Sequence, residues 1–189
     1  ASPFEDPHYV EAKPSFIVAL NRADLLISNG VEQEIGWLPQ LLVQSRNPGI
    51  QPGQPGHLEV AGFIEKLLEV PVGTIDRSMG DIHAGGNPHF YYDPVRMEAL
   101  IPVLTQRLIA LDPDNQADYS RNLAAEQARF KALNARIKAA FAKLKPEQRQ
   151  IVGYHQSLSY LLEALGIQAV AYLEPKPGIA PTSAQVAKV

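Results

Sequence analysis

The longest periodic stretch of the chain runs from Asp114 to Leu144. There Tyr119, Leu123, Phe130, Leu133, Ile137, Phe141 and Leu144 recur at spacings of three, four and seven. On a helix of 3.6 residues per turn these positions form one apolar stripe, with charged or small residues on the other faces. At 1.5 Å rise per residue the stretch makes a rod of roughly 46 Å. Asp112-Pro113 breaks the helix before it, and Pro146 limits it on the other side, because the residue before a proline resists the helical region. Two placements suit a narrow stripe on a long rod: a strut across the backs of two lobes, or one arm of a helical hairpin or coiled coil.

Before the strut, apolar positions predict a helix from Pro14 to about Ala23 and a short buried strand over Asp24 to Ser28, closed by Asn29-Gly30. Helices are predicted over about Val31 to Gln44 and about Leu58 to Leu68, with a loop from Asn47 to Gly56 between them. Val70-Pro71-Val72 reads as a strand end, and residues 73–92 as a long Gly-rich connection of the kind that is usually functional or disordered. Asp93-Pro94 opens a helix to about Leu111, with the carboxylate as cap and a kink expected at Pro102. After the strut come a strand over Gln150 to Tyr154 and a helix over Leu158 to Leu165, ended by Gly166. A strand over Gln168 to Leu173, a rigid loop from Glu174 to Pro181 and a helix capped by Thr182-Ser183 follow. Strands alternating with helices argue for parallel α/β layers on both sides of the strut.

A length of 189 residues falls between one large domain and two small ones. A net charge of −3 gives no general reason to expect nucleic acid or an anionic membrane as partner. No apolar run approaches a membrane span, and no signal-peptide pattern is seen. The absence of cysteine excludes disulfides and thiolate metal sites.

The candidate chemistry lies in the five histidines at positions 8, 57, 83, 89 and 155. His8, His89 and His155 each sit where a loop meets a regular element, and a proline precedes the first two, fixing the backbone that aims the ring. In open α/β sheets ligands gather beyond the carboxyl ends of strands. Three neutral imidazoles there would suit a divalent cation of zinc's character, with nitrogen–metal bonds of about 2.0 to 2.1 Å. Taken singly, a loop histidine is more often a solvated or capping residue. His83 reads either as an extra or transient ligand or as a solvated loop residue, the second being favoured, and His57 as a helix-start residue. Glu5 and Asp6 are candidates to accept the second ring N–H of a ligating imidazole, or simply members of a solvated turn. Trp37 and Tyr91 read as packing residues.

Asp6-Pro7-His8-Tyr9-Val10-Glu11-Ala12-Lys13-Pro14-Ser15, Ala23-Asp24-Leu25-Leu26-Ile27-Ser28-Asn29-Gly30, Gly86-Asn87-Pro88-His89-Phe90-Tyr91-Tyr92-Asp93-Pro94, Gly153-Tyr154-His155 and Glu174-Pro175-Lys176-Pro177-Gly178 resemble the zinc/manganese substrate-binding proteins of ABC transporters. The resemblance runs nearly end to end. It implies two lobes of parallel sheet flanked by helices and joined by one long backbone helix. The N-terminal lobe would occupy 1–112, the connecting helix 113–145 and the C-terminal lobe 146–189, with both lobes incomplete. It further implies that His8 and His89 from the first lobe and His155 from the second hold a metal ion in the cleft. Manganese-type members usually carry a glutamate where this chain has His155, so the match favours Zn2+, as a transported ligand rather than a cofactor. The family's fourth ligand, a carboxylate near the C-terminus of the second lobe, is not found in this sequence, which suggests a fragment.

The implied function is capture of a divalent transition metal and delivery to the membrane permease of an ABC importer, in the periplasm or cell envelope. A zinc hydrolase on the same three histidines is the alternative from another class. It lacks a visible general base, since no His-Glu-x-x-His or nucleophile motif occurs. A non-transport adhesin is a third reading. Exposed sheet edges in incomplete lobes lead to an expectation of self-association.

Overall fold

The computed structural model describes residues 6–73, 80, 83–174, 176, 178–187 and 189. Helix α1 (Pro14–Asn21) begins with proline at its first position, where a missing N–H costs nothing. Strand β1 (Leu26–Ser28) follows, then α2 (Leu38–Ser45) and β2 (His57–Glu59). The two strands pair in parallel, Leu26 opposite His57 and Ser28 opposite Glu59. Leu38, Leu42 and Ile50 form the core under this sheet, with Leu20, Ala23, Leu26 and Trp37 against them. Asn47 closes the layer, its amide donating to the carbonyls of Ala23 at 2.8 Å and Leu20 at 2.9 Å.

Three expectations in this half are corrected. Residues 31–37 form turns rather than the first half of a helix. Val31 and Glu32 lie in the left-handed region (φ 53° and 60°), and the Glu34 carboxylate takes the N–H groups of Asn29 (2.7 Å) and Gly30 (3.2 Å). Side-chain capture of those donors favours a coiled-back turn over the helix that the apolar spacing suggested. The stretch predicted as helix from Leu58 opens instead as β2 and continues as a 3-10 turn, Val60–Phe63. Pairing with β1 buries Leu58 to 1% exposure, and three residues are too few for a strand period to show in sequence. Val70 and Val72 do not belong to a strand end; they stand in solvent at 53% and 103% exposure.

Helix α3 (Pro94–Leu111) is capped by Asp93, whose carboxylate accepts the Val95 N–H at 2.9 Å, and it runs on through Pro102. A 3-10 turn, Pro113–Asn115, leads into α4 (Gln116–Phe141), 26 residues and about 39 Å long. The partner of α4 is α3, so the strut is one arm of a hairpin. Its least exposed face includes Tyr119, Leu123, Phe130, Ile137 and Phe141, as the periodicity required. Leu133, assigned to that stripe, is instead 40% exposed, and the buried position is Asn134 at 8%. The Asn134 amide reaches across to the Glu98 carboxylate on α3 at 2.5 Å, a polar contact that an apolar-stripe reading does not register.

Strand β3 (Gln150–Gly153), α5 (Ser159–Leu165) and β4 (Gln168–Tyr172) form a parallel β-α-β unit, with α5 ended by left-handed Gly166. A short α6 (Ser183–Val186) follows, capped by Thr182 as the sequence suggested, with Gln185 completing a capping box. The Arg149 guanidinium ties this unit to the end of α4, donating to the carbonyls of Phe141, Leu144 and Leu165. Tyr160 on α5 is fully buried with Ala61, Phe90 and Leu100, so one core cluster joins the two halves of the chain. Arg96 on α3 lies 4.6 Å from the Tyr160 ring centroid and pairs with Glu163 at 2.8 Å. The architecture is α/β, with parallel strands, flanking helices and one long helix.

Candidate metal centre

His8 and His89 sit in turns of one design. In Asp6-Pro7-His8 the Asp6 carboxylate accepts both the His8 backbone N–H (2.9 Å) and its ring Nδ1 (2.8 Å). In Asn87-Pro88-His89 the Asn87 carbonyl oxygen does the same, at 2.8 Å for each. The proline carbonyl is pinned in both turns, Pro7 by Trp37 Nε1 and Pro88 by Asn29 Nδ2, each at 2.9 Å. Gly86 (φ 109°) permits the second turn, since a Cβ there would lie 2.7 Å from the Leu68 carbonyl. His155 follows β3, and its Nδ1 meets Glu174 Oε2 at 2.6 Å, just past the end of neighbouring β4. All three rings therefore present Nδ1 to an oxygen acceptor. Protonation there leaves a lone pair on each Nε2, the arrangement that ligating imidazoles adopt, and at His8 that lone pair faces His83.

The three rings meet although they are far apart in sequence. Ring centroids are 5.3 Å apart for His8 and His89, 5.0 Å for His89 and His155 and 6.5 Å for His8 and His155. Imidazoles bound tetrahedrally to one ion at about 2.1 Å would place their centroids about 5 Å apart. Two of the spacings match this, and the third is wide by an ångström or so. Among the described residues no group of three or more His, Asp or Glu side chains is placed to hold a metal ion in this arrangement. The ring spacings bring His8, His89 and His155 together, with His8 held at Nδ1 by Asp6 and at Nε2 by His83.

His83 accounts for the orientation of His8. Of its two readings, extra or transient ligand and solvated loop residue, the favoured second one does not hold: its ring stacks on His8 at 5.1 Å, and the two Nε2 atoms are 3.1 Å apart. With His8 protonated at Nδ1, His83 donates that bond. Loop composition gave no sign of this, because the contact spans 75 positions. His57 is not a helix-start residue: it opens β2, with Nε2 2.9 Å from Ser28 Oγ and Nδ1 buried without a partner. Among the described residues its ring contact is with Ser28 and not with the other histidines. Tyr91 lies beside His89, at 5.9 Å between centroids, and its hydroxyl accepts from Gln33. Glu5 lies outside the described residues.

Electrostatics agree with neutral imidazole at the buried turn. Burial, joined by the neighbouring His155, His8 and His83, pushes the His89 pKa down to about 3. The Asp6 carboxyl is held below its ordinary value; partial burial works the other way but is outweighed by the hydrogen bonds from His8. Asn87 and Glu174 escaped the sequence reading as partners of the His89 and His155 rings. Asn87 was legible in the repeat of an Asx-Pro-His tripeptide. Glu174 was legible only once β3 and β4 were paired side by side.

The family model described as ZnuA, "Zinc-uptake complex component A periplasmic", matches residues 1–189. The chain is 25% identical over 180 residues to the iron-binding protein YfeA of Yersinia pestis, covering 92% of this chain and 50% of that protein. It is 25% identical over 186 residues to the manganese ABC transporter substrate-binding lipoprotein PsaA of Streptococcus pneumoniae, covering 96% and 56%. A crystal structure of ZnuA matches with a TM-score of 0.74 at 23% identity, covering 100% of this chain and 65% of that one, a likeness of fold. The chain thus spans about half the length of the curated relatives it matches. These relatives are binding components of uptake systems and not enzymes.

Proposed function

The chain belongs to the family of periplasmic component A proteins of zinc-uptake complexes, and from that premise we propose that it captures a divalent transition-metal ion on His8, His89 and His155 and delivers it to an ABC-type membrane importer. The ion is cargo. The observation that carries the reading is the set of three Nδ1 anchors, on Asp6, Asn87 and Glu174, which leave a lone pair on each Nε2 for a metal, the ion displacing the His83 bond at His8. The ligands come from the proposed lobe 1–112 and the proposed lobe 146–189, on either side of a connecting segment 113–145, so the ion would sit in a cleft between them.

Zinc is the proposed cargo. Its support is an all-imidazole donor set, since nitrogen ligands and the general affinity order both favour zinc over manganese or iron(II). Relatives in the family are described as manganese- and iron-binding, so the donor set of this chain decides its cargo. Elemental analysis followed by competition calorimetry tests both levels. One zinc per chain, with manganese binding at least about tenfold weaker, is the expected result, in keeping with the affinity order. Manganese held as tightly as zinc would overturn the selectivity, and failure to hold any divalent metal would overturn the capture.

A cell-envelope location is proposed with this function, on the strength of the periplasmic and lipoprotein descriptions of the family and its members. No helix among the described residues is long and apolar enough to cross a membrane. Each sheet has two strands among the described residues, and open parallel edges favour pairing between chains. Self-association is therefore proposed as well; light scattering showing a monomer at all concentrations would reject it.

A further inference from the structure

Asn87 makes more hydrogen bonds than aiming His89 requires. Its Oδ1 takes the His89 N–H and ring Nδ1, while its Nδ2 donates to the Gln156 carbonyl at 2.7 Å and to Glu69 Oε2 at 2.8 Å. Its backbone N–H donates to the Leu68 carbonyl at 2.8 Å, and its own carbonyl accepts the Tyr160 hydroxyl at 2.5 Å. A single residue, 7% exposed, thus joins the His89 turn to the segment around Leu68 and to residues 156–160. Gln156 directly follows His155. Among the described residues the side chain of Asp6, the counterpart in the other turn, bonds only His8, so a carboxylate oxygen is enough for the aiming. What the amide adds at position 87 is two donors, and both face other segments.

We propose that Asn87 is a positioning residue that couples the His89 ring to the docking of residues 156–160, so that metal capture at His89 tightens that segment against the first half of the chain. This rests on the metal-capture reading given above. A metal ion on Nε2 withdraws electron density from the imidazole and makes Nδ1–H a stronger donor to Asn87 Oδ1. An amide polarised at its oxygen donates more strongly at Nδ2, because linked hydrogen bonds reinforce one another. Both Nδ2 hydrogens are committed, one to Gln156 and one to Glu69, whose other carboxylate oxygen takes the Ser159 hydroxyl at 2.6 Å. The connection runs from the ring through the amide to two points on the far segment. By linkage it acts in reverse, a docked segment holding His89 ready for the ion.

Asn87→Asp separates the two tasks. The substitution keeps an acceptor for His89, as Asp6 does for His8, but removes both donors and sets a carboxylate against Glu69 and the Gln156 carbonyl. Amide hydrogen exchange of residues 156–160 is measured with and without zinc, alongside calorimetry of zinc uptake on the same samples. In the unsubstituted chain zinc should slow exchange in that segment about fivefold or more, the lower end of ordinary coupling between sites. In the variant zinc should still bind, weaker by no more than the roughly 10- to 100-fold typical of changes behind a ligand, while the slowing disappears. Zinc uptake with equal slowing in both proteins, or with none in the unsubstituted chain, overturns the coupling and leaves the capture standing. No zinc uptake by the unsubstituted chain overturns the capture reading and this one with it. Should the variant fail to fold, the Asn87 side-chain amide resonances of the unsubstituted protein decide the matter. They should move downfield when zinc binds, and resonances that stay in place with zinc bound overturn the coupling.

Discussion

The two Asx-Pro-His turns are one device in two settings. In each, the first residue's side-chain oxygen takes the histidine N–H and ring Nδ1, and a donor from elsewhere pins the proline carbonyl. The settings differ in water. The Asp6 side chain is 55% exposed, so its second oxygen can be solvated and a full negative charge costs little. Asn87 is 7% exposed beside the Glu69 carboxylate, where a buried charge of the same sign without a cation would cost several kcal/mol. An amide supplies the acceptor without the charge and turns its spare end to other segments. Exposure, more than the task of aiming a ring, decides which residue opens the turn.

The sharpest way to break the comparison is to remove the buried ring. His89→Ala should lower zinc affinity by at least about a hundredfold, more than the roughly 10- to 100-fold typical of residues behind the ligands. His8→Ala, at the turn whose Asp6 side chain is 55% exposed, should cost less. Calorimetry of both variants checks the order, and equal losses would mean that the buried and exposed turns are equivalent.

Acid should separate the turns next. His89 has its pKa depressed to about 3 against an ordinary 6.5. In the metal-free protein the unfolded chain therefore binds a proton at this position that the folded one refuses, between about pH 6.5 and 3. Stability is flat above pH 6.5 in this respect and falls as the pH drops through that window, by at most about 1.4 kcal/mol per pH unit. Denaturant unfolding at stepped pH measures it. His89→Gln should flatten the slope, and an unchanged slope would show that other groups carry it.

Much of this arrangement was legible before any coordinates. Hydrophobic period found α3 and α4, capping residues found the starts of α3 and α6, and Gly166 found the end of α5. The loop-to-element placement of His8, His89 and His155 marked the residues whose rings gather. What escaped was whatever depends on distant partners. Strand β2 is too short to carry a period and exists because β1 lies beside it. The turn at 31–37 is held by the Glu34 carboxylate, which no periodicity registers. Glu174 meets His155 only because parallel pairing sets the ends of β3 and β4 side by side, and His83 meets His8 across 75 positions. Local chemistry writes itself into sequence, whereas contacts closed by tertiary packing do not.

Changing the acceptor at the exposed turn sharpens the comparison further. Asp6→Asn retains an oxygen for His8 and should weaken zinc binding by less than about tenfold, whereas Asp6→Ala removes it and should cost about 10- to 100-fold. If the two variants match, the charge of Asp6 and not its hydrogen bonds is what matters, and the two turns do not share a design.

The smallest effect expected is at Trp37, which pins the exposed turn from outside the site. Its indole packs with Leu38, Leu42 and Ile50, and its Nε1–H donates to the Pro7 carbonyl at 2.9 Å. Trp37→Phe keeps most of the apolar contact and deletes the donor. The Pro7 carbonyl belongs to a partly exposed turn, so water replaces the lost bond and the loss of stability should be near 0.5 to 1.5 kcal/mol. The matching donor at the buried turn is Asn29, which bonds Pro88 between two segments that water reaches less easily. Asn29→Ala should therefore cost more, up to about 3 kcal/mol, because a buried carbonyl is left without a partner. Urea unfolding of both variants makes the comparison. A Trp37→Phe loss as large as that of Asn29→Ala would mean that the first turn is as closed to water as the second, and the contrast drawn between them would fail.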